Sequence, residues 1–137
     1  MTKEITICGH QVEMIYCAAT ENAYEDITNR SIGVFVPKFG KNDKGEDVVI
    51  EKPKATIGDF IALGMAGIIA AYTRKGEPVP IEYENILFDA TPEERNCVLD
   101  AIVELRNEWY KTPKAVEDLL KKEAEANKGD DEDAEKN

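Results

Sequence analysis

Apolar and polar residues alternate near the start of the chain, which predicts a β-hairpin over residues 3–17. Gly9 and His10 form the expected two-residue turn, because glycine is favoured at the first position of a type II′ turn. This turn would pair Ile7 with Val12. The apolar side chains would then share one face of the hairpin: Ile5, Ile7, Val12, Met14 and Tyr16.

The pattern next changes to helical spacing, with Thr20 as the expected N-cap of a short helix over 20–28. Residues 33–51 predict a second hairpin or a loop. Within this range, Pro37 ends a short extended segment at 34–36, and the turn-forming residues of 38–47 predict a polar loop. The apolar residues 48–50 can return as a strand, which would complete the hairpin.

The longest apolar stretch also has helical spacing and predicts a main helix over 56–73. Thr56 as N-cap, with Asp59 three residues later, resembles a capping box. Gly64 and Gly67 lie inside this helix, where each glycine costs about 1 kcal/mol relative to alanine. We therefore expect a neighbouring element to approach the helix closely at these two positions.

Three further helices are predicted over 81–88, 92–111 and 113–127. The second of them has a capping threonine, a proline at its first position and a glutamate at its third, which is a strong helix start. Residues 128–137 are acidic and almost free of apolar side chains, so we expect a disordered tail. The sequence thus predicts a single α+β domain over 1–122, with N-terminal hairpins packed on a mainly helical bundle.

Composition supports a globular protein, since 42% of the 137 residues are hydrophobic and 33% are charged. No apolar run reaches the roughly 20 residues that span a bilayer, and no secretory signal pattern opens the chain, so we expect a cytoplasmic location. The formal net charge is −11, to which residues 123–137 contribute seven acids and two bases. This acidity disfavours direct binding to a nucleic-acid backbone.

The residue patterns of metal binding are missing from the sequence. His10 is the one histidine, and with Cys8 it supplies only two of the about four ligands that zinc needs. The three cysteines have no Cys-x-x-Cys spacing and are expected to be reduced. Residues 41–47 loosely resemble a calcium loop but lack its alternating ligand positions. We expect neither a metal nor another cofactor.

Pairs of carboxylates can perform general acid–base catalysis when burial separates their pKa values. The acids in the C-terminal half lie near predicted helix starts or on polar helix faces, where acids are common. We therefore expect no enzymatic activity from them. These acids are Glu82, Glu84, Asp89, Glu93, Glu94 and Asp100.

Aromatic residues and the glycine-bearing helix are better candidates for binding another protein, because Trp and Tyr are concentrated in binding hot spots. Most of the aromatic residues follow core spacing, and one or two at the surface would be enough for a partner site. The main helix is the expected centre of packing or of self-association. The candidate protein-binding residues are Phe60, Gly64, Gly67, Tyr72, Tyr83, Phe88 and Trp109.

Three segments, in a particular order, suggest a known family. They are the hairpin segment EITICGHQVEMIY at 4–16, the helix ATENAYEDITNRSI at 19–32 and the apolar helix DFIALGMAGIIAAY at 59–72. With a helical C-terminal half and an acidic, lysine-containing tail, this order resembles the short form of siphophage tail assembly chaperones. The similarity covers about residues 4–122, and the insert at 38–54 is longer than the family pattern.

The resemblance implies a non-catalytic phage or prophage protein that binds and solubilises the tape-measure protein during tail assembly. Several copies, as a homo-oligomer or side by side on the partner, would cover its amphipathic helices until tail-tube subunits displace them. An acidic regulatory protein that mimics nucleic acid is the alternative. That alternative predicts acids spaced along an elongated face.

Overall fold

A computed structural model describes residues 1–111, and it confirms the α+β class. It contains two antiparallel hairpins and three α-helices. A 3₁₀ turn lies at Ile32–Phe35 and a π-helical turn at Asn85–Asp89. The predicted helix 113–127, the tail 128–137 and the end of the domain at residue 122 lie outside the described residues. The regular elements are β1 (Lys3–Ile7), β2 (His10–Met14), α1 (Ala18–Thr28), β3 (Lys38–Lys41), β4 (Asp47–Glu51), α2 (Ile57–Lys75) and α3 (Pro92–Trp109).

The first hairpin turns at Cys8 and Gly9, so the predicted turn at Gly9-His10 is wrong. Both turn residues have positive φ, at 50° and 80°, as a type I′ turn requires, and His10 is the first residue of β2. The register pairs Ile5 with Val12, which is two residues away from the predicted pairing. A shift of two residues keeps every side chain on its face, so the predicted apolar face is retained.

Helix α1 starts two residues before the predicted helix, with Cys17 as its N-cap. Thr20, the predicted N-cap, is the third helical residue and is buried. Its hydroxyl accepts a hydrogen bond from the Cys17 amide (3.2 Å) and donates one to the Ile15 carbonyl (3.0 Å). Thr20 therefore joins the helix start to the end of the first hairpin. Asn29 ends the helix in the left-handed conformation.

The second hairpin lies within the predicted range 33–51, and its strand β4 contains the predicted strand at 48–50, but β3 occupies residues that were predicted to be a polar loop. Strands β3 and β4 pair across a turn over 42–46, whereas residues 34–36, which were predicted to be extended, belong mainly to the 3₁₀ turn. Asn42 stabilises the turn by accepting hydrogen bonds from two backbone amides. Lys41 and Asp47 form an ion pair at 2.7 Å across the strand ends.

Helix α2 begins with the predicted capping box, in which Thr56 accepts from the Asp59 amide and the Asp59 carboxylate accepts from the Thr56 amide. It ends at Lys75, two residues beyond the prediction, with Gly76 in the left-handed conformation. The helix is long and apolar enough to cross a membrane by length and composition. However, 67% of the relevant window is buried within the fold, so internal packing accounts for its hydrophobicity.

The chain after α2 is less helical than predicted. The structure has a π-helical turn at Asn85–Asp89, in place of the predicted helix over 81–88. Helix α3 starts as expected, with Thr91 as N-cap and Pro92 at its first position, and it ends at Trp109. The amide of Cys8 donates to the Glu94 carboxylate at 3.0 Å, which fastens the tip of the first hairpin to the start of α3.

Helix α2 lies at the centre of the fold, with α1, α3 and the first hairpin packed around it. Gly64 lies against Val98 of α3, and Gly67 lies against the end of β2. The backbone amide of Ile15 donates to the carbonyl of Gly67 at 3.2 Å. A direct contact between two backbones leaves no room for a side chain, which explains why glycine is used here despite its cost in a helix.

A buried polar network anchors the start of α2. Tyr24 donates to Asp59 at 2.8 Å, and Arg30 forms two hydrogen bonds to the same carboxylate at 2.9 and 3.1 Å. Burial alone would raise the pKa of Asp59, but the hydrogen bonds that it accepts outweigh burial and hold its pKa below the ordinary value. The network joins α1 and the segment after it to α2.

We expect Gly67→Ala to lower the free energy of unfolding by about 1–3 kcal/mol, because overpacking outweighs the gain in helix propensity. The added Cβ would lie 2.7 Å from the Ile15 carbonyl oxygen and 2.8 Å from Met14 Cγ. Urea unfolding measures the effect. Gly58→Ala is the control, since its Cβ would meet only Thr56 Oγ1 at 3.6 Å, and equal losses in the two variants would contradict the packing role.

We expect Asp59→Asn to lower stability at pH 7, with a difference from wild type that narrows below about pH 4. A carboxylate with a lowered pKa contributes stability above its unfolded pKa of about 3.9, and this contribution is lost as the pH falls through the folded pKa. Urea unfolding at several pH values tests this, with the exposed Asp26→Asn as control. If the difference in unfolding free energy between Asp59→Asn and wild type did not change with pH, the stabilising role of the ionised carboxylate would be contradicted.

Candidate functional site

The structure places most of the predicted binding residues inside the fold. Gly64, Gly67 and Tyr72 are buried, and the Tyr72 hydroxyl accepts a hydrogen bond from the backbone of β2. Phe60 is half-buried in an aromatic cluster, and Tyr83 is also half-buried. These five residues support packing, and a partner cannot reach the glycines or Tyr72 without opening the core.

The other two predicted residues are exposed but lie far apart. Phe88 is 80% exposed just before α3, and Trp109 is 49% exposed at its last position. Helix α3 has 18 residues and is therefore about 27 Å long, and the two side chains lie at its opposite ends. The structure therefore has two distinct exposed apolar surfaces, at opposite ends of the same helix.

Trp109 lies in a groove between the end of α3 and the start of the chain. We name this surface the aromatic groove. It encloses about 130 Å³, and its lining residues are Met1, Tyr16, Leu105, Glu108 and Trp109. Tyr16 and Trp109 pack with their ring centroids 6.4 Å apart. Large aromatic side chains and a flexible methionine are suited to binding the apolar face of a partner helix.

Hydrogen bonds and ring contacts hold the wall of the aromatic groove. The hydroxyls of Tyr16 and Tyr110 both donate to the Glu21 carboxylate of α1, the first of them at 2.7 Å. The guanidinium of Arg106 lies 5.2 Å from the Tyr110 ring and 5.6 Å from the Phe35 ring, as in cation–π pairs. These contacts connect α1, α3 and the 3₁₀ turn, so the groove is formed before a partner arrives.

Sequence reasoning missed that the groove would form here. Val98, Ile102 and Leu105 are buried along one stripe of α3, and Trp109 continues this stripe one turn beyond the core. Trp109 follows the core spacing of α3, yet Trp109 and its neighbour Tyr110 are both about half exposed. The apolar stripe on α3 shows that Trp109 lies on the same face as the core residues. Where along this stripe the core stops covering it depends on how the helices pack.

The described residues show no arrangement suited to metal binding or nucleophilic catalysis. Within residues 1–111, no group of three or more His, Cys, Asp or Glu side chains could hold a metal ion. His10 is exposed, and the three cysteines are free thiols, of which Cys97 is exposed. The carboxylates of Glu82, Glu84 and Asp100 are exposed. Within the described part of the chain, the aromatic groove combines an exposed tryptophan with a concave apolar surface.

Comparison with known proteins finds no matching protein-family model, curated protein or solved structure. The resemblance to tail assembly chaperones thus stays a hypothesis from the sequence. Interpretation of the aromatic groove depends on its own geometry and chemistry.

The hydroxyls around the groove should resist ionisation. Burial raises the pKa of all five tyrosines, and for Tyr16 and Tyr110 the Glu21 carboxylate adds to the effect. A tyrosine whose pKa is raised by folding stabilises the folded protein at pH values below its unfolded pKa of about 10. This stabilisation is lost as the pH rises through the pKa of the folded state. Folded protein should therefore show little tyrosinate absorbance near pH 10. Glu21→Gln should allow earlier ionisation, and ordinary titration of the folded wild type would contradict this account.

Proposed function

We propose that this chain is a non-catalytic tail assembly chaperone of a phage or prophage, which binds the tape-measure protein and keeps it soluble in the host cytoplasm. The order of sequence elements suggests the family. The observation that carries the proposal is the preformed aromatic groove at the end of α3, where the half-exposed Trp109 is available to a partner helix and packs on the buried Tyr16 ring.

The chemistry of the groove suits an amphipathic helix. Trp109, Tyr16 and Met1 supply an apolar floor, and Glu108 lies at its edge. Glu104 is also on α3, where it forms an ion pair with Lys3 at 2.7 Å. An apolar helix face bordered by basic residues would match this combination, because complementary charge orients a partner while apolar contacts supply affinity.

A chaperone that is displaced during assembly needs moderate affinity. The cavity of about 130 Å³ is small compared with the several hundred Å³ typical of tight small-molecule sites. The affinity of one groove for a partner helix is therefore limited. Several copies bound along one long helical protein would act together. The net charge of −11 would help to keep such an assembly soluble.

Co-expression with the tape-measure protein of the same genome tests the proposal. We expect the wild-type chain to increase the soluble fraction of that protein and to elute with it in size exclusion. Trp109→Ser should weaken binding of a helical tape-measure segment by about 30-fold or more, as truncation of a hot-spot tryptophan does. Because Trp109 is the one tryptophan of the chain, its fluorescence reports directly on the groove.

Phe88→Ser is the matched control, since it removes an exposed aromatic side chain from the other end of α3. This variant should bind a single helical tape-measure segment as wild type does, with the same change in Trp109 fluorescence on binding. A wild-type chain that gives no soluble complex would refute the proposed function. Salt-sensitive binding to a basic DNA-binding protein instead would favour the nucleic-acid mimic.

A further inference from the structure

The second hairpin carries exposed apolar side chains on both faces. We name residues 38–54, which contain β3 and β4, the arm. Phe39 and Val49 are paired across the strands on one face, with Phe39 63% exposed. Ile50 lies beside Gly40 on the other face and is also 63% exposed. Apolar residues on both faces mean that neither face of the arm is covered within the described part of the chain.

The arm makes few contacts with the rest of the fold. Main-chain contacts of β3 and β4 are almost entirely with each other, and at the base Lys54 and Ala55 donate to the Val34 carbonyl at 2.9 Å. Isolated two-stranded hairpins are marginally stable in water, and their outer edges can pair with another chain. An arm of this kind gains stability when a second surface covers it.

Charge distinguishes the arm from the rest of this acidic chain. The arm has five lysines and four acids, a net charge of +1, whereas the whole chain is at −11. Residues 77–94 have six acids and no lysine or arginine. We name this second segment the acidic knob. It also presents two exposed apolar side chains, Leu87 at 47% and Phe88 at 80%.

We propose that the arm of one copy of this chain docks on the acidic knob of a second copy. Apolar side chains of one face of the arm, Phe39 and Val49, would meet Leu87 and Phe88 at the centre. Lys44 and Lys52, which lie outside the arm's own ion pairs, would face acids of the knob. The high exposure of Phe88 shows that its own arm does not cover it. Charge complementarity favours another copy as the occupant, because the chain supplies both halves of the contact.

The contact is heterologous, since the two surfaces are different and lie on different elements. After one contact, the copy that supplied its arm still has a free knob, and the other copy still has a free arm. A third copy can therefore bind at either end. Such contacts close into rings or continue as filaments. This inference does not need the aromatic groove, which lies at the opposite end of α3 from Phe88.

Sedimentation velocity of the full chain over a range of concentrations tests the proposal. Wild type should form complexes larger than a monomer. Phe39→Ser and Phe88→Ser should each raise the concentration of half-dissociation by about tenfold or more, because each removes an apolar anchor. A mixture of the two variants should again form complexes, since intact arms of one variant meet intact knobs of the other.

The mixture distinguishes this contact from an interface of two identical surfaces. If Phe88→Ser still associates like wild type, the knob is not involved and the proposal is wrong. It is also wrong if wild type stays monomeric at its solubility limit, or if the mixture fails to recover association. Val103→Ser is the control, as Val103 is exposed elsewhere on α3, and it should associate like wild type.

Circular dichroism and thermal unfolding show whether each variant remains folded. Raising the ionic strength from about 0.1 M to about 1 M should weaken association of wild type, because the Debye length falls from about 10 Å to about 3 Å. Association that strengthens with salt would contradict the charge pairing. If the chain stays monomeric but its aromatic groove still binds a tape-measure segment, this inference is wrong while the proposed function stands.

Discussion

The fold depends on two positions in α2 that have no side chain. At Gly67 the end of the first hairpin contacts the helix backbone directly, and at Gly64 the Val98 side chain of α3 occupies the space that a Cβ would need. Residues three apart lie on the same side of a helix, so the end of the hairpin and α3 meet side by side over the two glycines. A small domain with few elements can bury its central helix in this way, because close approach increases the apolar area removed from water.

Polar contacts then set the orientation of the outer elements around α2. The Asp59 carboxylate joins Tyr24 and Arg30 to the start of α2, and Glu94 joins the hairpin tip to the start of α3. Burial of Asp59 is acceptable because its oxygen atoms accept several hydrogen bonds, which outweigh the cost of desolvation. One carboxylate thereby connects the N-terminal half to the central helix.

With the faces of α2 occupied, the remaining apolar residues lie at the periphery. Within residues 1–111, the aromatic groove, the acidic knob and the arm each contain large apolar side chains that stay exposed. Exposed apolar patches of this kind are typical of protein–protein contacts. The groove is suited to a helix of a different protein, and the arm and knob are complementary in charge to each other.

The sequence by itself determined the α+β class, the capping box of α2 and the close approach at its glycines, because caps, periodicity and helix propensity are local properties. It also determined which residues of the first hairpin face the core, although the turn at Cys8 and Gly9 differs from the predicted one. Only the tertiary structure decided that Trp109 is exposed while Tyr72 is buried, since both follow the same helical spacing. Periodicity shows which face of a helix is apolar, but the neighbours that cover this face, and the point where they end, depend on contacts between residues distant in sequence.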